Sequence, residues 1–137
     1  MSFAFALFRA PDAPTFLRRV LAFDAVTSGA MGLALIVAAG TLGPLLNLPV
    51  PLLRGVGFSF IPFVALVAYA ATRNPASRAL GFTVAALNAV WVVLSFAVLL
   101  TGAVTPNALG TVFVAAQAIF VGILAELQVI GARRLAA

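Results

Sequence analysis

Polar residues are so sparse along this chain that they punctuate four long apolar runs, over about residues 16–40, 52–72, 75–100 and 106–132. Each run reaches the roughly 20 residues that an α-helix needs to cross the hydrocarbon core. The connections are short, so one unit accounts for residues 16–137. The pattern predicts an all-α transmembrane four-helix bundle, antiparallel up-down-up-down.

The breaks carry their own signals. Residues 1–15 hold an apolar run that ends at Arg9 and is too short to span, followed by a Pro11, Asp12, Pro14 turn; this segment is expected to lie in the membrane interface. Asp12 or Thr15 is placed to cap the first span. That span is longer than the 7–15 residues of a signal-peptide apolar region and contains Asp24, so it reads as retained. Residues 41–53 contain Pro44, Pro49 and Pro51, which exclude a continuous helix, and their leucines suggest a segment along the membrane surface or, alternatively, a re-entrant or ligand-lining loop. Pro62 predicts a kink in the second span. The short turn at 72–75 makes the second and third spans antiparallel neighbours, and Thr105-Pro106 provides a start for the fourth.

Against this apolar ground a few polar side chains stand out. Asp24, Thr27, Ser28, Met31 and Gly32 fall on one stripe of the first span, with Ser28-x-x-x-Gly32 and Ala25-x-x-x-Gly29 allowing close approach of another helix. An aspartate facing lipid costs roughly 2.5–3.5 kcal/mol, so this stripe should face the other helices. Asn88 lies ten residues beyond Arg78, ~15 Å into the third span. There it needs an interhelical partner, and Trp91, one turn on, can donate its indole N–H within the bundle. On the fourth span Gln117 is nearly opposite Glu126, while Gln128 shares the Gln117 face. One of those faces should look toward another helix or another protomer.

Charge then sets orientation and excludes chemistry. The composition is 64% hydrophobic and 8% charged, far from the roughly 25% charged residues of soluble domains. All eight basic residues are Arg, and seven of them (Arg9, Arg18, Arg19, Arg73, Arg78, Arg133 and Arg134) fall on one side against Arg54 on the other. By the positive-inside rule both termini are expected to be cytoplasmic. Flanking arginines of this kind are topology signals, and no nucleic-acid partner is expected. The absence of Lys alongside abundant Ala and Arg suggests a bacterial source, and hence the inner membrane. With neither Cys nor His there is no thiol chemistry and no ordinary zinc or imidazole-haem site; no metal site, cofactor or catalytic residue is expected, and the chain does not read as an enzyme.

Depth and topology together bring the acids into one layer. Asp24 lies ~7–8 Å inward of Arg19 and Glu126 ~10 Å inward of Arg133, from the same side. Asp24 and Glu126 are therefore expected to approach each other, with Asn88, Gln117 and Gln128 as further members of a buried polar or proton/ion site. Arg18, Arg19, Arg133 and Arg134 are the candidate counter-charges. Arg19-x-Leu21-x-Phe23 and Arg78-x-Leu80-x-Phe82 also hint at a parallel repeat of two hairpins.

Arg19-x-Leu21-x-x-Asp24-Ala25, Leu53-Arg54-x-x-Gly57, Asn88-x-x-Trp91 and Ala125-Glu126-Leu127-Gln128-x-x-Gly131, taken together, resemble a group of small uncharacterised bacterial four-span membrane proteins. The likeness implies the four-span architecture and no particular activity. Scarce ionisable groups and short loops lead first to a non-catalytic accessory or assembly component, as a homo-oligomer or beside a larger membrane complex in the lipid bilayer. A small proton- or cation-coupled transporter or channel using Asp24 and Glu126 is the alternative. A lipid-binding protein using the cleft behind residues 41–53 is the third reading.

Overall fold

Three of the four long helices begin where a side chain takes over an orphaned backbone donor. The computed structural model describes residues 12–135; the interfacial reading of residues 1–11 lies outside them. Helix α1, Ala13–Val37, starts at Asp12, whose Oδ1 accepts the Thr15 N–H at 2.8 Å, with Pro14 in the first turn where its missing N–H does no harm. Ser77 caps α4, Arg78–Leu100, by accepting the Leu80 N–H at 3.1 Å. Asn107 caps α5, Ala108–Arg133, through the Gly110 N–H at 2.8 Å. This places the start of α5 beyond the expected Thr105-Pro106.

Residues 41–53 depart from expectation. The chain breaks at Ala38 (φ −104°, ψ 11°) and re-forms helix α2, Ala39–Leu46, around Pro44. Asn47 then ends α2 in the left-handed region at φ 55°. A proline forbids only its own donor and crowds the carbonyl four residues back, so a short helix survives where a continuous one does not. Helix α3, Val50–Ala71, follows directly and continues through Pro62.

The four long helices are each long and apolar enough to cross a membrane, which makes this a multi-pass membrane protein. Their outer faces carry large apolar side chains such as Val26, Leu33, Ile61 and Val93, as a lipid-facing surface requires.

Packing divides the helices into two tight pairs, α1 with α3 and α4 with α5, joined mainly through α1 and α5. The first pair depends on two glycines: a Cβ on Gly57 would lie 2.9 Å from the Gly32 carbonyl oxygen, and one on Gly32 would lie 2.9 Å from Phe60 Cβ. Gly29 is looser, with only Val64 at 3.8 Å. Leu17 and Leu21 meet Val67, Ala70 and Val84 in one apolar cluster beside the 72–77 connection, and Phe16 and Val20 meet Leu124 in another. At the far end α2 is stapled to the start of α5. Asn47 Nδ2 donates to Thr105 O at 2.6 Å, Asn107 Nδ2 to Leu45 O at 2.9 Å, and the Asn107 N–H to Leu46 O at 3.2 Å.

The expected neighbours α3 and α4 barely touch away from their connection. A short turn ties only the ends together; the Gly32–Gly57 approach draws α3 onto α1 and leaves α4 to pair with α5. The gap between α3 and α4 is bridged by Phe60 and Trp91, packed edge to face with ring centres 5.4 Å apart.

Candidate functional site

Three helices each send one polar side chain to a single point inside the bundle. Asp24 of α1, Asn88 of α4 and Gln128 of α5 are 1%, 3% and 0% exposed. Asn88 Nδ2 donates to Asp24 Oδ2 and to Gln128 Oε1, both at 2.9 Å, and Gln128 Nε2 donates to Asp24 Oδ2 at 2.7 Å, closing a triangle. Ser28, one turn beyond Asp24, donates to Asp24 Oδ1 at 2.8 Å. The carboxylate thus accepts three hydrogen bonds, which matches the acceptor-only character of its ionised form.

The geometry corrects the expected partnership. Glu126 does not join Asp24: it is exposed on the outside of α5. At about 100° per residue, residues 126 and 128 point in nearly opposite directions, so placing Gln128 inside puts Glu126 outside. The donors reaching Asp24 are all neutral amides or a hydroxyl, and the four expected counter-charges do not supply them. Arg18 and Arg19 are half-buried; Arg133 and Arg134 are exposed, with the Arg134 guanidinium 5.5 Å from the Phe16 ring centre. Arg78, expected to act in orientation and not as a counter-charge, donates from Nε to Ala132 O at 3.2 Å and ties α4 to the end of α5.

Gln117 of α5 sits in a second network with Trp91 and Ser95, which lie roughly 5 and 10 Å beyond Asn88 along α4. It accepts from Trp91 Nε1 at 2.8 Å and donates from Nε2 to Ser95 Oγ at 3.0 Å and to Val114 O at 2.8 Å. The interhelical bonding expected of Asn88, Gln117 and Trp91 is present in both networks. The chain matches no protein-family model, no curated protein and no solved structure. The site is therefore read from its own geometry.

Beside the two networks the α3–α4 gap opens into two adjoining cavities of about 320 and 310 Å³. Both are bounded by Met31, Phe60, Trp91 and Gln117; Asn88 and Ser28 belong to the wall of the first, and Leu48, Leu52 and Leu53 to that of the second. Sequence reasoning flagged Ser28 on the helix stripe but missed it as the partner of Asp24, although the Asp-x-x-x-Ser spacing carries that signal. The asparagine staple was also missed, since nothing local links Asn47 to Thr105.

Proposed function

We propose that the chain is a bacterial inner-membrane protein with antiparallel up-down-up-down helices and both termini cytoplasmic, working as a non-catalytic accessory or assembly component. The seven-to-one distribution of arginines supports the orientation. The observation that carries the functional reading is the position of Glu126. It lies on an outward stripe of α5 with Ile119, Ile123 and Ile130, all exposed, and with exposed Arg133 two turns on. An acid left facing lipid on such a stripe costs roughly 2.5–3.5 kcal/mol, and this is relieved when another protein, a second copy or a larger complex, covers the face.

The test is mass determination after extraction in mild detergent. Wild-type protein is expected as an assembly larger than the 14.1 kDa chain, and Glu126→Arg is expected to release a folded single chain. A wild-type protein that stays monomeric in detergent and in bilayers refutes the reading. Transport by a pair of acids gains no support, because Asp24 and Glu126 point apart.

A second reading, lipid binding, is favoured by the paired cavities between α3 and α4. Their volumes fall in the range of about 300–1,000 Å³ typical of small-molecule sites. Leu48, Leu52 and Leu53 of the 41–53 segment line this cleft, which supports the reading.

A further inference from the structure

The cavity wall has an unusual donor balance. Six residues lining the first cavity carry side-chain N–H or O–H groups, and each donates to another protein group: Thr27 Oγ1 to Phe23 O, Ser28 Oγ to Asp24, Ser59 Oγ to Val56 O, Asn88 Nδ2 to Asp24 and Gln128, Trp91 Nε1 to Gln117, and Gln117 Nε2 to Ser95 and Val114 O; Ser95 in the second donates to Trp91 O. What the wall offers to an occupant is therefore acceptors. Chief among them is Asn88 Oδ1. Asn88 is 97% buried, both of its amide protons are committed, and its oxygen accepts no hydrogen bond among the described residues while not being sealed from the cavity. A carbonyl oxygen that faces an apolar cavity without a donor is unfavourable, so this oxygen calls for an O–H or N–H from whatever fills the space.

Charge narrows the ligand further. Among the described residues no Arg, Asp or Glu lines either cavity, and Asp24 is closed off behind Ser28 and Asn88. Phosphate and ammonium heads find no counter-charge there. Ester and quinone carbonyls, which only accept, find no free donor. The second cavity is lined almost wholly by aliphatic and aromatic side chains, among them Leu35, Leu53, Leu94 and Phe113.

We propose that this cleft holds an uncharged long-chain alcohol, its hydroxyl donating to Asn88 Oδ1 and its hydrocarbon tail lying past Phe60 and Trp91 in the second cavity. The proposal rests on the lipid-binding reading and adds the chemistry of the head. Linear and isoprenoid tails share that chemistry and differ only in how they fill the aliphatic end.

The test uses the full chain in phospholipid nanodiscs, with a hexadecanol carrying a mid-chain diazirine and its methyl ether as photoprobes, read by intact mass and peptide mapping. The alcohol is expected to label saturably and roughly tenfold more efficiently than the ether, as loss of one hydrogen bond predicts. Labelled peptides are expected to contain Phe60 or Trp91. Competition by unlabelled hexadecanol or by geranylgeraniol identifies the tail. Leu87→Trp, which fills the first cavity, is expected to abolish labelling. Equal labelling by alcohol and ether overturns recognition of the hydroxyl and leaves lipid binding standing. Absence of saturable labelling by either probe overturns both, as does labelling confined to the outer faces of the helices.

Discussion

Replacing Gln128 with leucine isolates what the buried triangle contributes. The side chains are close in size, so little cavity forms and the change is mainly the loss of two hydrogen bonds, at 2.7 Å to Asp24 and at 2.9 Å from Asn88. The bond to the carboxylate is worth about 1.5–3 kcal/mol and the amide bond about 0.5–1.5 by soluble-protein values. Interhelical bonds within membranes average ~0.6 kcal/mol and reach ~1.7, which pulls the total down. Gln128→Leu is therefore expected to destabilise by about 2–3 kcal/mol. Asp24→Asn should behave differently. With its oxygen at the Oδ2 position it keeps both amide donors, and its NH2 faces Ser28, whose hydroxyl turns to accept. Removing a buried charge offsets the weaker bonds, so the change is expected within about 1 kcal/mol of wild type. The assay is equilibrium unfolding in mixed micelles against added SDS, followed by the fluorescence of Trp91, the single tryptophan. Asn88→Leu combined with Gln128→Leu should cost less than the sum of the two, because they share a bond. A Gln128→Leu protein within 0.5 kcal/mol of wild type, or an Asp24→Asn protein less stable than it, would refute the reasoning.

Other perturbations probe the frame around the site. Gly57→Ala places a methyl 2.8 Å from Ile36 Cγ1 and 2.9 Å from Gly32 O and is expected to lose about 1–3 kcal/mol in the same assay. Gly55→Ala, with nothing within 4 Å, is expected to gain about 0.5–1 kcal/mol from helix propensity. At the α2–α5 staple, Asn47→Gly loses only the side-chain bond, whereas Asn47→Ala must also hold φ 55°; the alanine protein should be the less stable by about 1 kcal/mol. Asp12 has its carboxyl held below the ordinary 3.8 by the side-chain and backbone hydrogen bonds of Thr15, with Arg18 and Arg19 assisting. A lowered folded-state value means the cap is fully effective above 3.8 and lost as pH falls through the folded value. The Thr15 amide chemical shift should therefore titrate below that point in wild type and stay flat in Asp12→Asn, whose amide oxygen caps at every pH.

Much of this protein was readable one turn at a time. Hydrophobic run length marked the four spans, Asp12 marked the cap of the first, and the isolation of Asp24 in an apolar run required a polar partner from another helix. The same local logic placed Glu126 and Gln128 on opposite faces of α5. It had no means of saying which face turns inward, because rotation about a helix axis is decided by atoms on other helices. That decision belongs to contacts such as Asn88 to Asp24, 64 residues apart, and Gln128 to Asp24, 104 apart. The splay of α3 from α4 was likewise invisible, since a short turn constrains two ends while the Gly32–Gly57 approach, made between different helices, chooses the pairing. Composition and periodicity thus determined the membrane-spanning elements, and tertiary packing alone determined which polar groups meet and where the bundle stays open.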